Sequence, residues 1–216
     1  MAVMDLRARR GLIGSKNDIV LPDEYQRVEH IEGTGTQFIN TGYHLSRGVY
    51  SFYADLTATG GGGSCFGVRD AATPNGGTFL VAVDGSASKF RLLAERTWKN
   101  LNYTISFDHF YSIYARLDDS RQSLTVDSHT VNTSQTINWE TLSGMPLYVL
   151  GCNYNGNLTR GFGKVRRFRT VKDGKTVIDL IPCYRKSDGE IGMFDIASQT
   201  FYTNAGTGEF QKGADV

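Results

Sequence analysis

Hydrophobic and polar side chains alternate with a period of two along much of the chain. The clearest example is residues 49–57, where Tyr50, Phe52, Ala54 and Leu56 fall at every second position. Alternation of this kind places apolar side chains on one face of a β-strand and polar side chains on the other. The pattern predicts a half-buried strand that packs on a second layer.

Short apolar runs separated by turn-forming residues predict an antiparallel meander. Asp-Gly at 173–174, between runs at 164–171 and 176–181, is the strongest hairpin signal. A second hairpin is predicted from 77–83 to 89–94. No amphipathic helix is predicted beyond the first fifteen residues. The segment 130–137 is either a polar strand or a loop. The other predicted strands are 25–31, 36–40, 65–68, 101–106, 110–117, 123–126, 147–152, 191–196 and 200–203.

The run at 164–171 differs from the others because it carries cations on both faces. An unpaired buried charge is costly, so at least one face must be solvated or paired with acidic groups. Two interpretations stay open: a solvated edge strand, where charge blocks unwanted pairing, or a contact patch for an acidic neighbour. The cations are Lys164, Arg166, Arg167 and Arg169.

Two segments near the ends of the chain match one family. The segment near the C-terminus contains PCYRKSDG at 182–189, GMFD at 192–195 and FYTNAGTG at 201–208. The segment near the N-terminus contains LPDEY at 21–25 and TGTQFI at 34–39. These motifs resemble the concanavalin-A-like, laminin-G-like jelly-roll domains common in phage structural proteins and in surface proteins of gut bacteria. The resemblance implies an all-β fold, a two-sheet antiparallel β-sandwich, with an N-terminal arm over residues 1–20 and one domain over residues 21–216.

Composition agrees with one all-β domain. The 216 residues include 25 Gly, 11 Tyr and 12 Phe, which favour short strands and tight turns. The formal net charge of +1 predicts neither a nucleic-acid nor a membrane partner. Cys65, Cys152 and Cys183 lie in apolar surroundings and are too few for a disulfide framework, which predicts buried thiols.

The first twenty residues form a basic, partly apolar segment. It is either a disordered leader or an anchor peptide that docks onto another virion protein, and its apolar content favours the anchor. No apolar core of a signal peptide follows the arginines, so no secretory signal is predicted. The candidate assembly contacts are Leu6, Arg7, Arg9, Arg10, Leu12 and Ile13.

No catalytic constellation is recognisable. Retaining glucanases of this fold carry two carboxylates spaced along one strand as Glu-x-Asp-x-Glu or Glu-x-Asp-x-x-Glu, and the chain lacks this spacing. Glu29 and Glu32 come nearest, but in a strand a separation of three places them on opposite faces. The histidines lack zinc-binding spacing. The sequence therefore predicts no enzyme, no metal site and no cofactor.

Carbohydrate binding is a better prediction for the function than catalysis. Sugar sites on jelly rolls combine an exposed aromatic ring with polar loop residues. Trp98 and Trp139 are both flanked by polar residues, as tryptophans at loop tips would be, and Asn153 with Tyr154 begins another polar aromatic loop. We predict glycan contacts at these four residues. The alternative is that each tryptophan is a half-buried core or lid residue.

The resemblance and the arm together predict a non-enzymatic phage virion protein. It would be a capsid decoration, head-fibre or tail-tip component, made in the host cytoplasm, with many copies raising avidity. Its predicted partners are other virion proteins through the arm, with a homo-oligomer and a surface glycan as further candidates. Two alternatives remain: a secreted or cell-surface bacterial carbohydrate-binding module, and a divergent glycoside hydrolase.

Overall fold

The alternating segments form β-strands in the computed structural model, which describes residues 19–60, 62–70 and 77–216. The elements are β1 Tyr25–Arg27, β2 Ile31–Thr34, β3 Ile39–His44, β4 Tyr50–Thr57, β5 Gly63–Arg69, β6 Thr78–Asp84, β7 Lys89–Ala94, β8 Thr97–Asn100, β9 Tyr111–Leu117, β10 Gln122–Val126, β11 His129–Thr133, α1 Trp139–Ser143, β12 Pro146–Val149, β13 Gly151–Tyr154, β14 Asn157–Arg160, β15 Phe162–Lys172, β16 Lys175–Arg185, β17 Ile191–Asp195, β18 Thr200–Thr203 and β19 Gln211–Lys212.

Two stacked sheets confirm the predicted all-β sandwich. The 11-stranded sheet runs β11-β10-β9-β4-β15-β16-β17-β18, with β1 on β16, β2 on β15 and β19 on β2. The 8-stranded sheet runs β14-β13-β5-β6-β7-β8, with β12 joining β3 to β5. The pairs are antiparallel apart from β13 with β5, which is parallel. We call these layers the large sheet and the small sheet.

The core lies between the two sheets, where the alternation predicts it. Tyr50 and Phe52 of β4 are fully buried, and the Phe52 ring lies 4.9 Å from that of Phe79, which belongs to the small sheet. Phe66 and Phe168 make a second contact across the layers, with 5.0 Å between their ring centroids. Burying each such side chain contributes about 1.5–3 kcal/mol to the free energy of unfolding.

The Asp-Gly turn is confirmed. Asp173 and Gly174 both have positive φ, 48° and 83°, as a two-residue type I′ turn requires, and they join β15 to β16. The hairpin between β6 and β7 is also confirmed.

Several local predictions were wrong. The predicted strand at 25–31 is divided into β1 and β2, and the one at 147–152 is divided at Leu150, whose φ is 59°. Residues 101–106 form no strand, whereas Trp98 lies inside β8 instead of at a loop tip. Trp139 begins a short helix, α1, that alternation could not reveal.

The basic strand β15 is central, so its interpretation as an edge strand was wrong. It pairs with β4 on one side and with β16 and β2 on the other. Two of its four cations pair with acidic groups: Arg167 forms a two-point ion pair with Asp179, and Lys164 Nζ lies 2.9 Å from Asp108 Oδ1. Arg166 stacks on the Phe110 ring, and Arg169 donates a hydrogen bond to Thr176 Oγ1.

The three cysteines are free and buried, as predicted. Burial raises the pKa of each thiol to about 12, which leaves it protonated and unreactive. Within the described ranges, no helix has the length and apolar character needed to cross a bilayer.

The arm and its assembly contacts lie outside the described residues, which begin at residue 19. The boundary between arm and domain at residues 20 and 21 therefore stays a prediction. The six candidate contacts in question are Leu6, Arg7, Arg9, Arg10, Leu12 and Ile13.

Candidate functional site

Trp98 stands on the outer face of the small sheet. It pairs with Leu93 of β7, whose side chain points away from the core, so Trp98 shares that outward direction. Its side chain is 37% exposed. An exposed tryptophan on a strand is held more firmly than one at a loop tip, because the ladder hydrogen bonds fix its backbone.

One side of the Trp98 ring is covered by Arg91. The guanidinium carbon of Arg91 lies 3.9 Å from the ring centroid, within cation–π range. Asp84 Oδ2 lies 3.7 Å from Arg91 Nη1 and accepts a hydrogen bond of 3.2 Å from Asn100 Nδ2. Hydrogen bonds from Ser86 and Asn100, and then the charge of Arg91, lower the pKa of Asp84. Ionised Asp84 thus holds the cation that orients the ring.

A pocket of about 210 Å³ opens on the other side of Trp98. In the strand register, Arg91 lies opposite Asn100, at the C-terminal end of β8. The pocket residues Glu95 and Arg96 lie at the other end, next to Thr97. The ring therefore separates Arg91 from the pocket and forms one pocket wall. The lining residues are Arg69, Asp70, Thr78, Leu93, Glu95, Arg96 and Trp98. We call this pocket and the ring the Trp98 site.

Charge in the Trp98 site is balanced, with two arginines and two carboxylates among the lining residues. Glu95 Oε1 accepts a hydrogen bond of 2.9 Å from the backbone N–H of Asn138, which precedes α1. Burial raises the pKa of Glu95, with hydrogen bonds from Asn138 and Thr78 acting against it. The site therefore offers donors, acceptors and one apolar ring with no net charge, which suits a neutral hydroxylated ligand.

Tyr154 lies on the same outer face as Trp98. The guanidinium carbon of Arg69, a lining residue of the pocket, is 5.5 Å from the Tyr154 ring centroid. Four strand steps separate β8 from β13, which places the two aromatic residues roughly 19 Å apart. The floor between them is apolar and buried, formed by Leu80, Ala82, Leu93 and Cys152. Two of the predicted glycan residues thus mark the ends of one surface.

Asn153 does not belong to this surface. Its side chain is 1% exposed, and its Nδ2 donates to Pro146 O at 3.0 Å while its Oδ1 accepts from the Gly156 N–H at 2.8 Å. The amide fixes the turn between β13 and β14. Residues alternate along β13, so the side chain of Asn153 points away from the outer face that Tyr154 occupies. We therefore remove Asn153 from the candidate site.

Trp139 lies elsewhere and is half-buried, which is the alternative that the sequence left open. Its Nε1 donates to Asp119 Oδ1 at 2.7 Å, and its ring centroid lies 6.0 Å from that of Tyr50. Hydrogen bonds from Arg47 and then Trp139 lower the pKa of Asp119. Trp139 thus covers one end of the core and is not part of the Trp98 site.

Sequence reasoning missed the charged residues that line the pocket, and it missed Arg91, which stacks on Trp98 outside the pocket. Arg91, Leu93 and Glu95 alternate with buried Phe90, Leu92 and Ala94, so the outward set could be read from β7 once that strand was identified. Arg69 and Asp70 could not be found in this way, because their position beside Trp98 depends on the order of strands in the sheet. Among the described residues, no three His, Cys, Asp or Glu side chains converge in a way that would hold a metal ion.

Comparisons with known proteins identify the fold. No protein-family model matches the chain, and no curated protein matches it in sequence. A proposed carbohydrate-binding protein from Bacteroides ovatus superposes with a TM-score of 0.58 at 10% identity, over 88% of this chain and 62% of that chain. The CBM40 module of the IT-sialidase from Ruminococcus gnavus, solved with α2,3-sialyllactose, gives 0.52 at 13% identity, over 67% of this chain and 90% of that chain.

A third similar structure is a sialidase from Trypanosoma rangeli, with a TM-score of 0.51 at 14% identity, over 71% of this chain and 27% of that chain. The chain spans less than two thirds of the length of the Bacteroides protein and about a quarter of this sialidase. At these identities the likeness concerns the backbone alone. The chain therefore has the two-sheet jelly-roll fold that its end motifs predict.

Proposed function

We propose that this chain is a non-catalytic carbohydrate-binding module and that glycans bind at the Trp98 site. The observation that carries the proposal is the Trp98 ring, which is fixed by β8 and by Arg91 on one side and forms the wall of a polar, charge-balanced pocket on the other. A sugar ring has an apolar C–H face and a rim of hydroxyl groups. The pocket matches both parts.

The energetics favour a neutral sugar of modest affinity. An aromatic ring contributes through burial of apolar area and through contact geometry, and the surrounding arginine and carboxylate groups supply donors and acceptors for hydroxyls. The pocket volume of about 210 Å³ is smaller than that of typical drug-sized sites. One sugar residue at the end of a longer glycan would fit such a pocket, and display in many copies would raise the avidity.

The similar structures support a carbohydrate as the ligand, whereas the preference for a neutral sugar rests on the pocket alone. The Bacteroides ovatus protein is a proposed carbohydrate-binding protein, and the Ruminococcus gnavus module was solved with a sialylated sugar. One fold hosts many functions, so this support concerns the class and not the residues. The site itself is argued from the side chains of this chain.

The first strand and the Trp98 site belong to different sheets. The chain enters the sandwich at β1, which pairs with β16 of the large sheet, whereas the Trp98 site lies on the outer face of the small sheet. The virion location, the arm's virion partners and a homo-oligomer stay predictions, and a secreted bacterial module stays the alternative.

A glycan array followed by isothermal titration calorimetry tests the proposal. We expect the full chain to bind at least one neutral glycan, Trp98→Ala to lose about tenfold or more in affinity, and Trp98→Phe to keep most of it because a ring remains. Trp139→Phe is the matched control and should bind as the unchanged chain does. Absence of binding to every glycan, or equal affinity of Trp98→Ala, would refute the proposal.

The divergent glycoside hydrolase remains the competing function because Asp70 and Glu95 line the same pocket. A raised pKa at Glu95 is also a property of general acids in that chemistry. We expect no hydrolysis of chromogenic glycosides. Hydrolysis that disappears in Glu95→Gln would establish the enzyme instead.

A further inference from the structure

A second cleft lies at a lateral edge of the sandwich, away from the Trp98 site. It opens where β3, an edge strand of the small sheet, meets the β16–β18 end of the large sheet, and its volume is about 430 Å³. This volume is within the range of small-molecule sites. The lining residues are Asn40, Thr41, Gly42, Tyr43, Val177, Ile178, Asp195, Ser198 and Tyr202. We call it the edge cleft.

A buried carboxylate with spare accepting capacity lies in the edge cleft. Asp195 is 2% exposed, and its Oδ1 accepts from the N–H groups of Asp179 and Ala197 at 2.7 and 3.0 Å. Its Oδ2 accepts one hydrogen bond of 2.7 Å, from Ser198 Oγ. A carboxylate has about four lone-pair sites, so one position on Oδ2 remains. A ligand hydroxyl can donate to it.

Two further polar groups of the cleft have hydrogen-bonding capacity left over. Asn40 Oδ1 accepts from the Gly42 N–H at 3.0 Å, and this contact directs the amide so that Nδ2 remains as a donor. Nδ2 of Asn40 and the hydroxyl of Tyr202 have no hydrogen-bond partner within the described part of the chain. Donors and acceptors therefore line one cavity.

Apolar surface completes the edge cleft. The rings of Tyr43 and Tyr202 are half-buried against the core, and Val177 and Ile178 lie between the polar groups. Burial, and then a hydrogen bond with the Tyr50 hydroxyl, raises the pKa of Tyr43, so this phenol stays neutral and its ring is held in place. Aromatic rings beside hydroxyl-binding groups match the two kinds of surface on a sugar ring.

We infer that the edge cleft is a second sugar-binding site, specific for a neutral ring. The ligand class rests on the proposed function, whereas the position and the residues are independent of the Trp98 site. Asp195 is the charged residue among those that line the cleft, and it would repel a sugar carboxylate. A uronic or sialic acid should therefore bind more weakly here than the matching neutral sugar.

Two separate sites on one module would let it engage two branches of one glycan. The Trp98 site lies on an outer face, and the edge cleft lies between the sheets, so one sugar residue cannot occupy both. A tethered second contact raises the apparent affinity without new contacts at either site.

The test is a backbone-amide NMR titration of the full chain carrying Trp98→Ala, which disables the first site. The probes are methyl glycosides of glucose, galactose, mannose and N-acetylglucosamine. Methyl glucuronide is the negatively charged counterpart of methyl glucoside. We expect the amides of Gly42 and Ser198 to move on titration, and methyl glucuronide to bind at least tenfold more weakly than methyl glucoside. Tyr202→Ala should abolish the movement.

Two conservative variants keep the test valid if Tyr202→Ala unfolds. Tyr202→Phe removes one donor and keeps the ring, and Asn40→Asp removes Nδ2 and keeps the acceptor for the Gly42 N–H; each should weaken binding about two- to tenfold. If the amide signal of Trp98 shifts in the unchanged chain while the signals of Gly42 and Ser198 stay fixed, the edge cleft is not a sugar-binding site, and the proposal for the Trp98 site is unaffected. No movement in either protein would overturn both.

Discussion

Arg91 stacks on Trp98, with 3.9 Å between the guanidinium carbon and the ring centroid. Because the same guanidinium also pairs with Asp84, the ring is held upright from one side. A cation over an exposed aromatic ring contributes about 0.5–1 kcal/mol. This relationship makes Arg91 a positioning residue for the Trp98 site that need not touch the ligand.

Arg91→Ala should therefore weaken glycan binding about two- to fivefold, less than Trp98→Ala does, because the ring is still present but less ordered. Calorimetry on the best glycan from the array measures this. Lys99→Ala is the matched control, since Lys99 is exposed on the same strand and pairs with Leu92. Equal affinity of Arg91→Ala and the unchanged chain would show that the stacking does not serve binding.

Asn153→Ala should destabilise the fold by about 1–3 kcal/mol, because it leaves Pro146 O and the Gly156 N–H without their partner. Urea denaturation measures the change. Asn157→Ala, at an exposed position of β14, should change stability by less than about 0.5 kcal/mol. If Asn153→Ala kept full stability and lost glycan affinity, Asn153 would return to the binding site.

The ion pair between Arg167 and Asp179 should be costly to break from one side. The Nε–Oδ1 and Nη2–Oδ2 distances are 2.9 and 2.8 Å, and both side chains are nearly buried, at 13% and 12% exposure. Asp179→Asn leaves a buried guanidinium unpaired, so we expect a loss of about 3–5 kcal/mol in thermal or urea unfolding.

The double variant Arg167→Met with Asp179→Leu provides the comparison. It removes both charges and should be more stable than Asp179→Asn alone, because no unpaired charge is left. A double variant that is the less stable of the two would show that the charges contribute net stability.

Titration of Glu95 should lower the free energy of unfolding as pH rises. Burial raises its pKa in the folded state above the ordinary value of 4.5, so the folded chain retains a proton that the unfolded chain has lost. The contribution of this group to stability is therefore lost as pH rises from the ordinary value through the raised one. Glu95→Gln removes the titration and keeps an acceptor for the Asn138 N–H.

Urea unfolding of both proteins between about pH 4 and pH 8 measures this effect. The free energy of unfolding of Glu95→Gln, relative to that of the unchanged chain, should increase as pH rises. Parallel curves for the two proteins would show that Glu95 does not titrate with a raised pKa.

The fold could be predicted because its signals are local. Alternation in β4, the Asp-Gly turn at 173–174 and the end motifs each depend on residues near one another in sequence, and each agrees with the two-layer structure. The position of β15 could not be predicted in this way. Its cations look solvated in isolation, whereas Arg167 pairs with Asp179 of β16 and Lys164 pairs with Asp108, which precedes β9.

The candidate site was only partly predictable for the same reason. Trp98 and Tyr154 could be chosen from their polar neighbours, but the strand order that places both on one face is a long-range property. Asn153 and Trp139 also have polar neighbours in sequence, but their side chains make contacts that stabilise the fold and do not line the Trp98 site. Nothing in the sequence near Asp195 indicated the edge cleft, because its other wall comes from β3, more than 150 residues earlier.

The most direct test observes the two tryptophan indole N–H signals of the full chain by NMR during titration with the glycan that gives the strongest array signal. The indole of Trp98 should move and saturate, while that of Trp139, which donates to Asp119, should stay in place and serve as the internal control. If the Trp98 signal stays fixed at saturating glycan, or if the Trp139 signal moves instead, the Trp98 site does not bind carbohydrate.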